Sequence, residues 1–472
     1  MKYDFKHKFL KKILIPIVAI SVLCSTAALV FANDDAQVVV AKAAFAIPDI
    51  TPEQQASALP NVIVIGTGGT LAGKASNNDP TNFQSYAAGT YPIADLVNQL
   101  PRKDKIADVS TFQFGNKGST GYSMADLYDL SLAVDQALEQ YDGAVVTTGT
   151  DTMEEIAYFL DLTVRSEKPV IVTGSMRPWD VIGTDAPANL YNAIKLAGSG
   201  KTKWFGTVIM LNDTIQAARE VTKANAHRTD TFDTPMLGAL GYIDQANIRI
   251  YRAPARAIKA GASDWSTPFD LNTIPKSKLP IVDIAFSYQE AGGGAIKGFV
   301  ADGAKGIVTS GTGAGGISSK MSAERSKAIS ENNVLFVTTT RTGSGTMYPG
   351  GNSGASANII AGDNLNAQHA RILLLLSIAF SNDTLTASDK TQIKSWFATF
   401  GTQDVSIPEP VVGLTGLDAA KSIEPEATES ATPSIDPNPS EVVTESPSPS
   451  IDPDQSKEES ETPVPSAGQV NP

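Results

Sequence analysis

Short β-branched runs bounded by glycine or proline recur through the middle of the chain, at 61–65 (NVIVI), 143–147 (GAVVT) and 169–173 (PVIVT). Each is too short for a helix and too uniformly apolar for a strand with one wet face. Each therefore predicts a strand buried on both sides. Segments of helical period separate them: Thr152 to Val164 (TMEEIAYFLDLTV) places Met153, Ile156, Ala157, Leu160 and Val164 on one face, the stripe of a helix lying on a sheet. A second series follows from Pro280, with PIVDIAFSY, GIVTSGTGAGG and VLFVTTTRTG and then a helix around Ala370–Phe380. This alternation predicts α/β architecture with two doubly wound domains. The larger, N-terminal domain, with a parallel or mixed sheet, is placed at 59–252 and the smaller, C-terminal α/β domain at 279–402. The Pro-, Gly- and Ser-bearing stretch 253–278 reads as the linker between them.

Both ends depart from this pattern. A basic start (MKYDFKHKFLKK) precedes an uncharged run from Ile13 to Ala32 that closes on Val-Phe-Ala. Basic, apolar and small-residue regions in that order predict a signal peptide at 1–32, hence a secreted or extracytoplasmic protein, followed by an extension at 33–58. About 20 apolar residues can also span a bilayer, so an uncleaved anchor is the alternative. At the other end, 403–472 turns to Pro, Ser, Thr and Glu, with PSIDP at Pro433–Pro437 and again at Pro449–Pro453. So polar a segment cannot offset its ordering entropy, which predicts a disordered acidic tail.

Composition narrows the chemistry. The formal charge of −13 divides into +4 over the first 32 residues, −10 over 418–472 and −7 over the body between. A mildly acidic body opposes nucleic-acid binding, which needs a basic face. Cys24 is the only cysteine, inside the apolar leader, and the histidines are His7, His227 and His369. Intrachain disulfides and thiolate zinc sites are excluded, and no G-x-S-x-G elbow occurs.

The first strand runs into Gly66–Gly73 (GTGGTLAG). Leu71 stands where a dinucleotide fingerprint needs its third glycine, so that cofactor reading fails. What the turn supplies is two hydroxyls, Thr67 and Thr70, at the carboxyl end of a strand, where open α/β sheets bind ligands. The second run leads into 147–155 (TTGTDTMEE), in which Thr152 and Glu155 have capping-box spacing and Thr150 and Asp151 stand just before the helix N-terminus.

These two Thr-rich segments, VIGTGGTLAG and TTGTDTMEEIAYFLDL, resemble the signatures of the type II, secreted bacterial L-asparaginases. GSMRP at Gly174–Pro178, NLYNA at Asn189–Ala193 and NDT…REVTK at Asn212–Lys223 follow in the family's order, and the likeness extends from about Leu59 to Phe400. The resemblance implies hydrolysis of L-asparagine to L-aspartate and ammonia without metal or cofactor, in a homotetramer whose sites are completed across subunits. It makes Thr70 the nucleophile that forms an acyl-enzyme and Tyr86 the tyrosine that activates it. Thr150, Asp151 and Lys223 become a second constellation, in which a Lys amine kept neutral by its surroundings acts as base. Asp151 is also expected to hold the substrate α-ammonium. The α-carboxylate falls to Ser119, with Thr120 beside it and Ser123 as the alternative; Ser175 and Thr150 complete the substrate-binding set. His227 lies outside the pattern.

The second series departs from the family. Ala314 stands where an Asn is usual, and no Glu occurs between Asn332 and Phe380. Substrate grip and the preference for Asn over Gln are therefore open, leaving a glutaminase-asparaginase or other small-amide hydrolase as alternative readings. A non-catalytic amino-acid-binding surface protein is the reading from another class.

Overall fold

The computed structural model describes residues 44–350 and 356–405. The expected signal peptide and all but the first residues of the acidic tail lie outside them.

Each apolar run becomes a strand, and the loops between are closed by helices. In chain order come α1 (Pro52–Ala56), β1 (Asn61–Gly68), a ribbon of β2 (Lys74–Ala75) and β3 (Tyr86–Ala87), α2 (Ile93–Gln99), β4 (Asp108–Lys117) and α3 (Met124–Leu138). Then follow β5 (Gly143–Thr147), α4 (Met153–Thr163), β6 (Val170–Thr173), α5 (Ala186–Gly198), β7 (Thr207–Leu211) and β8 (Thr214–Ala217). A second ribbon, β9 (Thr222–Lys223) with β10 (Phe232–Asp233), and a hairpin of β11 (Gly241–Asp244) and β12 (Asn247–Ile250) complete this half. The large sheet has the order β12-β11-β8-β7-β6-β5-β1-β4. Strands β4, β1, β5, β6 and β7 pair in parallel, whereas β8, β11 and β12 run antiparallel at one edge. It is a mixed sheet.

Alternate residues of β1 explain why its run shows no polar alternation. Val62 and Val64 face the layer of α2 and α5, with Leu96 and Leu190; Ile63 and Ile65 face α3 and α4, with Leu130 and Phe159. All are sealed from solvent. From β1 the chain passes to β4 on one side and then to β5 on the other, so the carboxyl ends of β1 and β5 flank a reversal of strand order. In open α/β sheets ligands bind at such a point.

The smaller sheet is wholly parallel, in the order β13 (Val282–Phe286), β14 (Gly306–Gly311), β15 (Leu335–Thr340) and β16 (Ile359–Ala361). Helices α6 (Gly294–Ala301) and α7 (Ser319–Asn332) pack Ile296, Met321 and Ala328 against Ala285, Ile307 and Phe336 on one face. The other face takes α8 (Ala367–Ala379), which also lies against α4 of the first half. Ile372, Leu373, Leu374, Leu375 and Leu376 are all sealed, as expected of a helix packed on both sides, which has no polar face to form a stripe. The final helix is α9 (Ala387–Phe400).

The 253–278 stretch holds three short 3-10 turns and is pinned to the core. Phe269 is fully buried and meets Phe380, Trp396 and Phe400 edge-on, with ring centroids 5.5, 5.3 and 6.1 Å away.

Candidate functional site

The site begins with backbone contacts that only glycine permits. Gly69 has φ 74°, and a Cβ there would lie 2.4 Å from the nitrogen of Gly149; a Cβ on Gly149 would lie 2.6 Å from Cβ of Ser119. The turns after β1, β4 and β5 therefore stack directly on one another at the sheet edge. Each then delivers a side chain into a small region.

The first of these is Thr70, which is 7% exposed. Its Oγ1 lies 2.7 Å from the Tyr86 hydroxyl carried by β3. Thr67, in the same turn, donates its hydroxyl to the Thr147 carbonyl at 2.8 Å and so ties β1 to β5. The Tyr122 hydroxyl donates to the Thr67 carbonyl, and the Lys117 carbonyl accepts the Gly69 N–H at 3.0 Å. The Thr70 turn is thus fixed from both flanks.

The second cluster forms across the β5 turn. Lys223 Nζ donates to Thr150 Oγ1 at 2.9 Å and pairs with Asp151 Oδ1 at 2.6 Å. The other Asp151 oxygen accepts the Ser119 hydroxyl at 2.8 Å. Hydrogen bonding from Lys223, then from Ser119, holds the Asp151 carboxyl below its usual range. Its side chain remains 62% exposed against 15% for Lys223, so the carboxylate is the open member of the pair. Lys223 is reached through its backbone as well: its N–H donates to Glu154 Oε2 at 2.6 Å. Burial pushes the Glu154 carboxyl up, and its other oxygen lies 3.4 Å from the Asn366 amide at the start of α8. Asp151, Glu154 and Lys223 line one cavity of about 350 Å³.

Several expectations are corrected here. Thr152 and Glu155 do not form a capping box: Thr152 occupies the N-cap position without capping, and its hydroxyl donates to the Ser119 carbonyl at 2.7 Å. Glu155 is drawn instead to the Arg371 guanidinium at 3.2 Å. Lys223 Nζ meets the Asp151 carboxylate directly. Ser123 caps α3, accepting the Asp126 N–H at 3.2 Å, so Ser119 is the loop serine that reaches Asp151. Thr120 is exposed in the same short turn. Ser175 is sealed, with its hydroxyl donating to the Arg177 carbonyl at 2.6 Å rather than into the cluster.

His227 is exposed, as is Ala314 in the loop after β14. Sequence reasoning passed over Tyr122 and Glu154. Glu154 was visible as the first acid of TMEE, but helical period alone places it beside the buried face without saying what it touches. Among the described residues no group of three or more His, Cys, Asp or Glu side chains is placed to hold a metal ion.

Comparison with known proteins bears on the same residues. Residues 61–256 match the family "Asparaginase, N-terminal", and residues 281–397 match "Glutaminase/Asparaginase C-terminal domain". The chain belongs to the asparaginase family. It is 39% identical over 330 residues to L-asparaginase 2 of Bacillus subtilis (strain 168), covering 69% of this chain and 84% of that one. With L-asparaginase 2 of Escherichia coli (strain K12) it shares 36% over 329 residues, 70% and 91% of the two chains. Among solved structures, a probable cytoplasmic L-asparaginase from Campylobacter jejuni superposes with a TM-score of 0.65 at 34% identity, over 72% of this chain and 99% of that one. The matched span of this asparaginase-family chain takes in both sheets and every residue of the two hydroxyl clusters. It excludes the leader and the tail.

Proposed function

We propose that this chain is an L-asparaginase that hydrolyses L-asparagine to L-aspartate and ammonia through a Thr70 acyl-enzyme. The observation that carries the reading is the pairing at one sheet edge of a hydroxyl held by a phenol, Thr70 with Tyr86 at 2.7 Å, and a hydroxyl held by an ion pair, Thr150 with Lys223 at 2.9 Å. In the first half-reaction Thr70 Oγ attacks the side-chain amide carbon, its proton passes to the Tyr86 oxygen as the Tyr86 hydroxyl proton passes on to the amide nitrogen, and the C–N bond breaks as neutral ammonia leaves. In the second, water activated at Thr150 attacks the ester and Thr70 regains its proton. Exposed Asp151 receives the substrate α-ammonium. Ser119 is the donor for the α-carboxylate.

Ammonia release from Asn and from Gln, with wild type and Thr70→Ala, tests the reaction. Hydroxylamine added during turnover tests the intermediate, because an acyl-enzyme diverts to the hydroxamate; turnover without hydroxamate would favour direct attack by water. Exposed Ala314, in place of a side chain able to grip the amino-acid head, supports a broader glutaminase-asparaginase as second reading, and the Asn-to-Gln rate ratio separates the two. We assign the chain to an extracytoplasmic location on the leader at 1–32 and to a homotetramer on the family resemblance.

A further inference from the structure

Tyr86 is carried on a ribbon that cannot hold its own shape. The pairing of β2 with β3 involves only Lys74 with Ala87 and Ala75 with Tyr86, and an isolated two-stranded ribbon is marginal in water even when longer. Its support comes from the segment between β6 and α5. That segment has a fixed base: the Ser175 hydroxyl holds the Arg177 carbonyl at 2.6 Å, and the Asp185 carboxylate accepts the N–H groups of Met176 at 2.9 Å and Arg177 at 3.0 Å. From this base the Trp179 N–H reaches the Gly73 carbonyl at 3.3 Å and the Ile182 N–H reaches the Pro80 carbonyl at 2.9 Å. The Arg177 guanidinium lies 4.8 Å over the Phe83 ring.

One side chain touches both ends of the ribbon. Asp180 Oδ1 accepts the Ala75 N–H at 3.0 Å, where the chain enters, and Oδ2 accepts the Tyr91 hydroxyl at 3.2 Å, where it leaves. Burial, then the Asp180 charge, raises the Tyr91 hydroxyl above its ordinary range, so it stays the donor. We propose that Asp180 is a positioning residue which clasps both feet of the Tyr86 ribbon and thereby sets the Thr70–Tyr86 contact. This deepens the reading in which Thr70 and Tyr86 form the reacting pair. The remaining contacts from Trp179, Ile182 and Arg177 keep the ribbon docked when the clasp is lost, so the effect falls on alignment.

The test combines kinetics with hydrogen exchange on the full chain. Asp180→Ala is expected to lower kcat for Asn about 10- to 100-fold, the loss that small misplacement of a reacting group brings, with a smaller change in KM. Amide exchange of residues 75–86 should quicken. Asp180→Asn, which retains an acceptor for the Ala75 N–H and a polar contact for Tyr91, should recover most of kcat. In a Tyr86→Phe background Asp180→Ala should add little, because a residue acting through Tyr86 has nothing left to position. Unchanged exchange, an unchanged kcat, or full additivity with Tyr86→Phe would each overturn the clasp. If wild type releases no ammonia from Asn, the functional reading fails instead, and the exchange experiment still decides whether Asp180 holds the ribbon.

Discussion

Thr67 and Thr70 lie in one turn, yet their hydroxyls are committed differently. Thr67 is bonded to a strand carbonyl on the far side of the turn, whereas Thr70 meets only a phenol, itself able to give or take a proton. That difference supports the proposal that Thr70 is the nucleophile, on which Thr70→Ala should lower kcat by about 10³-fold or more while thermal stability stays within a few degrees of wild type. A variant retaining a tenth of wild-type turnover would reassign the nucleophile. A second residue governs behaviour in acid. His369 is sealed against Tyr158, its ring centroid 5.0 Å from the phenol ring, and burial lowers its pKa to about 3. Unfolding lets it take a proton at its ordinary value near 6.5. Between those two pH values the unfolded state binds more protons, so folding stability falls as the pH falls, by up to about 1.4 kcal/mol per pH unit. Asp135 pulls the other way, because burial pushes its carboxyl up to about 6 and acid relieves it. Urea denaturation of His369→Gln and wild type from pH 7 to pH 4 should show a flatter acid loss in the variant. Parallel curves would place the titration elsewhere.

The ribbons show why elements that position chemistry were hard to read. The long strands and helices were legible because burial on both faces, or on one stripe, writes a pattern over many residues: the runs at 61–65, 143–147 and 169–173 became β1, β5 and β6 with ends shifted by a few residues. Thr70 and Asp151 were legible because each sits where such an element ends. Ribbons of two residues leave no period, and β3 and β9, which carry Tyr86 and Lys223, were reached only through the family resemblance. Asp180 and Tyr122 act on backbone groups of segments distant in sequence, so nothing local marks them. The Thr152–Glu155 spacing misled for a related reason, since a nearby carbonyl and a guanidinium outcompeted the cap. Glu154 is the element-scale test. It accepts the Lys223 N–H and is 4% exposed, so Glu154→Ala orphans that donor at a cost of about 1–3 kcal/mol and releases the ribbon. Thermal melts should reveal the destabilisation, and kcat should drop about 10- to 100-fold. Glu154→Gln, which keeps a carbonyl oxygen for the same N–H, should be milder on both; equal damage from Gln and Ala would mean that the charge matters more than the contact.

At the scale of the whole molecule the smaller sheet is left with an apolar margin. Its edge strand β13 ends at Phe286, 55% exposed, with Tyr288 at 54% and Ile281 at 49% beside it, and the Arg341 guanidinium lies 5.6 Å from the Phe286 ring centroid. An open strand edge with large exposed side chains marks a surface suited to being covered, and the proposed homotetramer would cover it with a second copy. Light scattering should therefore give about four chain masses for wild type and a smaller species for Phe286→Glu, while a fully active wild-type monomer would refute the tetramer. The same argument reaches substrate recognition. Ala314 is exposed after β14, and in a closed assembly the resemblance carries that loop toward the neighbouring copy's Asp151 cluster. An amide there would gain one hydrogen bond to the substrate's charged head, about 1.5–3 kcal/mol, formed alike before and during the reaction. Ala314→Asn should accordingly lower KM for Asn about 10- to 100-fold with kcat nearly unchanged. In the Phe286→Glu background the gain should vanish, because the side chain then has no neighbouring site to enter. A gain that survives dissociation would place the Ala314 loop over its own chain's site, and no gain in either background would remove it from recognition altogether.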